Sequence, residues 1–437
     1  MAFAAADFAA DPFGDAGQDP QHPVWRIRVH DEVNDKQGAA IMSRTKAARP
    51  CIVRLGRRLY LLPANTHLQP FQVPMKTIPP AQLGLSPEAL ERAGKLLASA
   101  IAAGQLSAAS LVVARRGALA FAQGYGHLRP EAGAPPVEPD SVFLLASITK
   151  PVTACALMRL VDRGLVSLND PVAQYLPEFR GGERPQVQVR HLLSHTSGLP
   201  DMLPENIALR RAHAPLSEFV RAAVKTPLLY SPGKEFAYQS KGTLLAGEIV
   251  ERVSGRRLRD FEQEELFAPL GMEKSALGLG PFQIPETVWC GNSMTESADE
   301  QRFGANSLYW RDMGHPWGGM HSTGIDLAIL LQTFLDGGTH EGRRLFSPAA
   351  VRAMTTDQNK GLQAPWGLGW GLAGSRVWNF FGELRSDATY GHVGATGTVA
   401  WADPEQQLVC VVLTNQMVAG GSLLRRVANA VSAAVVE

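Results

Sequence analysis

Residues 147–164 read SITKPVTACALMRLVDRG, and the character of the whole chain follows from this stretch. Ser147 and Lys150 stand three apart, a spacing that puts both side chains on one face of a helix, where an amine can take the proton of a hydroxyl. Val152, Ala156 and Leu160 supply the apolar side, Gly164 a stop, and Pro151 falls in the first turn, where a missing N–H costs little. Spacing alone is a weak signal, because Ser43–Lys46 and Ser231–Lys234 repeat it. The first of these lies in a basic stretch broken by Pro50, and the second in a Ser-Pro-Gly-Lys turn. Only Ser147 opens a long helix, whose free N–H groups and positive dipole end favour an anionic oxygen.

Outward from this helix the pattern is regular. Upstream, Ser86-Pro87-Glu88 marks a helix start, with Leu90, Leu97 and Ile101 as its apolar face up to Gly104. Two apolar runs follow, SLVVA (110–114) and ALAFAQG (118–124), joined by Arg115-Arg116-Gly117, and they predict a β-hairpin. Residues 147–335 are mostly helix and loop. Strand signals return in GTVAWAD (397–403) and QQLVCVVLTNQ (406–416), before a closing helix from Ser422. Strands at both ends of a helical middle predict a sheet completed late in the chain, with a helical lobe inserted into it.

Composition narrows the function classes. The 437 residues carry 42 Lys+Arg against 41 Asp+Glu, a formal net charge of +1, which lacks the basic footprint of nucleic-acid or acidic-membrane binding. No apolar run is long enough for a transmembrane helix. Cys51, Cys155, Cys290 and Cys410 are widely spaced, which excludes a Cys-x-x-Cys motif or a disulfide framework and fits buried thiols in a reducing compartment. His191 and His195 are four apart, but with no acidic partner between them they read as capping or core hydrogen-bonding groups, and no metal is expected. Asp7, Asp11, Asp15 and Asp19 precede any Lys or Arg, the wrong sign for a secretory signal, so a cytoplasmic location is expected. Residues 36–76 are basic without one acid. Residues 1–75 therefore read as an N-terminal extension, partly disordered or loosely docked, ahead of a domain spanning 76–437.

Two further segments carry chemistry. Tyr238 lies in SPGKEFAYQSKGTLLAGEIVERVSG (231–255), between a Pro-Gly turn and an amphipathic helix with Leu244, Leu245, Ile249 and Val253. A phenol close to a lysine loses its proton more easily, and can then take the serine proton and return it to a leaving group. Late in the chain comes Tyr390-Gly391-His392-Val393-Gly394-Ala395-Thr396-Gly397. Its glycines, Gly394 among them, let a strand backbone approach a substrate closely.

Ser147-Ile148-Thr149-Lys150, Tyr238-Gln239-Ser240 and His392-Val393-Gly394 occur in the order of the three motifs of the serine β-lactamase and penicillin-binding protein superfamily, which the chain resembles from about Leu83 to Val436. The segments GLVSLNDPVAQYLPEF, VRHLLSHTSGLPD, GGMHSTGIDLA and WGLGWGL look like class C β-lactamase-related proteins. The resemblance implies an α/β (α+β) fold, an antiparallel sheet flanked by helices. An α/β lobe of about 76–145 plus 316–437 would hold an inserted all-helical lobe of about 146–315. It also implies Ser147 as nucleophile, Lys150 as its proton partner, Tyr238 as general base and acid, and the N–H groups of Ser147 and Ala395 as the oxyanion hole. No cofactor is implied.

Two departures bear on substrate. Ser240 stands where an Asn commonly ends the second motif, and His392 where the third often carries Lys. Both weaken recognition of a β-lactam or a D-Ala-D-Ala carboxylate, whereas an ester needs only an oxyanion hole and an acyl pocket. Trp310, Trp317, Trp366 and Trp370 could line such a pocket, and Trp370 joins Ser240, His392, Gly394 and Ala395 as a candidate substrate-binding residue. The expected substrate is a small ester or amide, and the closest likeness is to family VIII carboxylesterases. The alternatives are a β-lactamase or D-amino-acid/DD-peptidase of the class C type, and a non-catalytic scaffold on the same fold. Oligomeric state is not written in the sequence.

Overall fold

The computed structural model describes residues 75–291, 297–375 and 380–437, together with the backbone of residues 51–55 and 58–62. The chain divides into two compact units, Met1–Pro70 and Phe71–Glu437. In the first, strands Cys51–Leu55 and Arg58–Leu62 pair antiparallel. The expectation of a loosely docked arm falls otherwise on residues outside those described. Met75, the last residue assigned to that arm, is buried in the core of the second unit.

The second unit is built on a six-stranded antiparallel sheet. Its strands are β1 (Ala108–Arg115), β2 (Ala118–Gly126), β3 (Gly371–Leu372), β4 (Tyr390–Gly394), β5 (Thr398–Asp403) and β6 (Leu408–Thr414). They lie in the order β3-β4-β5-β6-β1-β2, so the hairpin from early in the chain completes a sheet whose other strands come late. The β1–β2 turn is Arg116-Gly117, both at positive φ (52° and 81°), the backbone twist that matches a two-residue hairpin. Every residue of β1 is buried, because both faces are covered. Leu111 and Val113 share one apolar cluster with Leu90, Leu97, Leu424 and Val427. Val112 and Ala114 belong to the other, with Leu327 and Ile329. Helices α1 (Pro87–Ala102) and α5 (Ser422–Ser432) thus back one face. The Ser86 hydroxyl caps α1 by accepting the Ala89 N–H at 3.2 Å.

The opposite face carries α4 (Gly324–Leu335), and the helical part of the unit contains the packed pair α2 (Thr149–Asp162) and α3 (Ser240–Ser254). The sequence predicts one apolar side for α2, yet all residues from Thr149 to Met158 are buried. This helix runs through the middle of the unit, so its polar residues are interior as well. Cys155, Cys290 and Cys410 are buried. Among the described residues no helix is long and apolar enough to cross a membrane.

One consequence is thermodynamic. The Glu262 carboxyl is fully buried beside α2, with Oε1 accepting from the Thr153 hydroxyl at 3.4 Å and Oε2 without a hydrogen-bond partner among the described residues. Burial pushes its pKa from 4.5 up to about 8. The folded chain therefore holds a proton that the unfolded chain releases, and stability contributed below pH 4.5 is lost as pH rises through about 8. Glu262→Gln is expected to melt higher than wild type at pH 8, with the gap closing toward pH 5. Thermal melts across that range check it, and a constant gap would refute it.

Candidate active site

Ser147 is presented by an irregular approach to α2. The chain enters through Phe143–Leu144, whose strand pairs with Met320–Ser322, and Leu145 N–H donates to the Met320 carbonyl at 3.0 Å. Ala146 then adopts φ +50°, a left-handed conformation that costs a non-glycine residue about 1–3 kcal/mol. It is held there by the Thr149 hydroxyl, which donates to the Ala146 carbonyl at 2.7 Å and accepts from Met320 N–H at 3.0 Å. Ser147 consequently sits in a 3-10 turn, Ala146–Ile148, rather than in the first α-helical turn that the sequence predicts. Lys150, one turn on, is only 2% exposed. Its Nζ donates to Ser147 Oγ at 2.9 Å and to the Trp317 carbonyl at 3.0 Å. Burial lowers its pKa from 10.5 to about 7, against a smaller opposing pull from Asp201.

Tyr238 closes the triad of side chains. Burial drives its phenol pKa well above 10.0, and the Ser147 hydroxyl opposes that rise by a smaller amount. Lys150 Nζ lies over the face of the phenol ring, 4.8 Å from its centroid. The sequence reading expects the lysine to favour phenolate. The structure differs because desolvation outweighs that attraction, and the buried lysine itself holds its charge weakly near pH 7.

The third segment arrives as strand β4, whose Gly394 pairs with Thr398 across the turn. A Cβ on Gly394 would lie 2.1 Å from the Leu145 carbonyl oxygen, so glycine permits the strand to press against the approach to Ser147. The Thr396 and Thr398 hydroxyls donate to the Leu144 and Leu145 carbonyls at 2.9 and 2.8 Å, which brings the Ala395 segment to the same place. His392 is fully buried, with Nδ1 2.7 Å from the Val393 carbonyl oxygen. Burial, then the Lys150 charge, lowers its pKa to about 3, so it is neutral at pH 7.

Ser240 opens α3, its N–H donating to Asp201 Oδ1 at 2.7 Å, and with Lys241, Phe219 and Trp317 it lines a small cavity. Trp370 is placed elsewhere: it packs in the core against Phe334 and Tyr390, at ring-centroid distances of 5.5 and 5.8 Å. The aromatic wall of the site comes instead from Trp366, whose ring meets His195, Tyr238 and His392 at 4.9, 6.0 and 5.7 Å.

Sequence reasoning missed His195 as a member of this group. Its ring centroid lies 4.6 Å from that of Tyr238, and burial, followed by the charge of Lys150, holds its pKa well below 6.5. It also missed Asp201 and the Trp317 carbonyl. His195 and Asp201 both lie in the recognised segment VRHLLSHTSGLPD, but nothing in their spacing shows that this loop meets residues 237–240. His191 does cap a helix, its Nδ1 accepting the Gln188 N–H at 3.1 Å. Among the described residues, no three His, Cys, Asp or Glu side chains group as metal ligands.

The sequence signature of the beta-lactamase family matches residues 93–434. The chain belongs to the beta-lactamase family. Among its relatives is a Salmonella agona protein whose name assigns it provisionally to the D-alanyl-D-alanine carboxypeptidases; it is 28% identical over 374 residues, covering 78% of this chain and 86% of its own length. A penicillin-binding protein homologue from Caulobacter crescentus superimposes with a TM-score of 0.68 at 25% identity, over 80% of this chain and 99% of its own. A family VIII carboxylesterase shares the fold with a TM-score of 0.65 at 22% identity, over 80% and 99% of the two chains. This beta-lactamase family member is a serine hydrolase on a mixed helix and antiparallel-sheet fold.

Proposed function

We propose that this serine hydrolase is a carboxylesterase that works through an acyl-enzyme at Ser147. The observation that carries the choice is His392: at the third motif, where a cation would hold a substrate carboxylate, a fully buried imidazole with its pKa near about 3 bears no charge at neutral pH. A neutral ester loses nothing there, whereas a β-lactam or a peptide C-terminus loses its counter-ion.

The proposed chemistry assigns the base to Lys150. With its pKa at about 7, a large share of the amine is neutral at pH 7–8 and accepts the Ser147 proton as Oγ attacks the ester carbonyl. The N–H groups of Ser147 and Ala395 stabilise the resulting oxyanion. Tyr238, still protonated, gives its proton to the departing alkoxide and recovers one from Lys150. Water then enters, the proton transfers run in reverse, and the carboxylic acid leaves.

A peptidase reading has one observation in its favour. Lys241 is buried at the edge of the small cavity beside Ser240, and its Nζ has no hydrogen-bond partner among the described residues. Such a cation would suit a carboxylate. Turnover of short-chain p-nitrophenyl esters, nitrocefin and an N-acylated D-Ala-D-Ala peptide decides between the two. Esters are expected to lead by about 10²-fold or more in kcat/KM, the scale of a lost charge-assisted contact. Faster peptide or nitrocefin turnover would overturn the esterase reading.

A further inference from the structure

Within the reading that Tyr238 transfers a proton, we propose that His195 is the positioning residue that fixes Tyr238 from both sides of the chain. The His195 carbonyl accepts the Ala237 N–H at 3.0 Å, and its Nδ1 accepts the Gln239 N–H at 3.3 Å. The two residues flanking Tyr238 are thus tied to one residue of another loop. Between those ties, the phenol ring rests against the imidazole at 4.6 Å between centroids, tilted by 46°. One residue therefore holds the backbone on both sides of the tyrosine, with its carbonyl before and its imidazole after, and the same imidazole packs on the phenol ring.

The loop is shaped for this grip. His195 adopts φ +60°, a left-handed conformation that turns its carbonyl and its ring toward the same neighbouring strand of chain. Thr196 O accepts Gly233 N–H at 2.8 Å, Gly198 O accepts Leu229 N–H at 2.7 Å, and Ser197 Oγ lies 2.6 Å from the Gln239 side-chain amide. Gly198, at φ +81°, has no room for a Cβ, which would fall 2.2 Å from the Tyr230 carbonyl oxygen. The tyrosine segment is held along its length by residues 195–198, and only the histidine acts next to the phenol. Accepting at Nδ1 requires the neutral imidazole with its proton on Nε2. Burial and the nearby Lys150 keep it in that form.

Side-chain chemistry separates this role from packing. Asn places an acceptor where Nδ1 stands and tolerates positive φ, whereas Gln reaches only the Nε2 position. His195→Asn is expected to keep kcat within about 5-fold of wild type, and His195→Gln to lower it by about 10²-fold with KM within about 3-fold, the scale of a misplacement near 1 Å. In a Tyr238→Phe background, His195→Gln is expected to add almost nothing, because what it positions is gone. A folded His195→Asn protein as impaired as His195→Gln would overturn the proposal, as would losses that multiply in the double variant. Should the Gln protein lack a cooperative melt, kcat of His195→Asn decides against wild type: a value within about 5-fold supports the role, and a loss near about 10²-fold overturns it. Wild-type turnover by Tyr238→Phe is a distinct outcome: it removes the proton-transfer reading on which this role rests.

Discussion

Ser147→Ala is expected to lower p-nitrophenyl ester turnover by about 10⁴-fold or more while leaving the thermal midpoint within about 2 °C of wild type. The size follows from what the hydroxyl does: without it no acyl-enzyme forms, and only binding and oxyanion stabilisation remain. The small stability effect follows from the site's construction. Ser147 Oγ accepts a hydrogen bond from Lys150, but the turn that presents it is held by Thr149, Leu145 and Met320, none of which bonds to the serine side chain. A fluorophosphonate probe is expected to label wild type at Ser147 and to leave the alanine protein unlabelled. Equal turnover by the two proteins would transfer the nucleophile to another residue and sink the esterase assignment in its present form. The scaffold alternative would be favoured if the probe failed to label wild type.

The degree to which this site can be read from sequence depends on how local each feature is. The β1–β2 hairpin was legible because two apolar runs flank Arg116-Gly117, a turn whose chemistry is contained in neighbouring residues. The Ser147–Lys150 pair was legible for the same reason: its 2.9 Å contact is made within one turn of chain. The 3-10 turn at Ser147 was not, because Ala146 is kept at positive φ by a strand about 170 residues later. Nor was the burial of every side of α2, since a central helix and an amphipathic one share the same apolar positions. Strand β4 was half hidden, its Gly and His residues masking the alternation that β1 displays. Trp370 and Trp366 lie four apart in one glycine-rich segment, and only tertiary packing sends one into the core and the other to Tyr238. His195 was visible as a buried hydrogen-bonding group, but its partner Gln239 is a backbone N–H, which carries no side-chain signal.

Lys150→Met is expected to abolish activity and to stabilise the protein at pH 6, a pairing that sets the site's electrostatics apart from its packing. Burial lowers the Lys150 pKa from 10.5 to about 7. Between those values the unfolded chain holds a proton that the folded chain lacks, so stability rises with pH across that window, and below about pH 7 the full penalty stands. The penalty is at most about 5 kcal/mol, and losing the hydrogen bond to the Trp317 carbonyl offsets about 1–3 kcal/mol of its removal. A net gain of about 2 kcal/mol corresponds to a midpoint about 3 °C higher at pH 6, shrinking toward pH 10. Methionine suits the position, since Lys150 Nζ already lies over the Tyr238 ring and a thioether packs favourably against an aromatic ring. Turnover is expected to fall by about 10³-fold or more as the base is lost. Wild-type kcat/KM should rise with pH through about 7 and then level, because Tyr238 stays protonated across the accessible range. Calorimetry and pH–rate profiles on the two proteins test the argument together. A methionine protein that melts lower than wild type at pH 6 would show that the ammonium is well solvated, and the neutral-amine mechanism would fall with it.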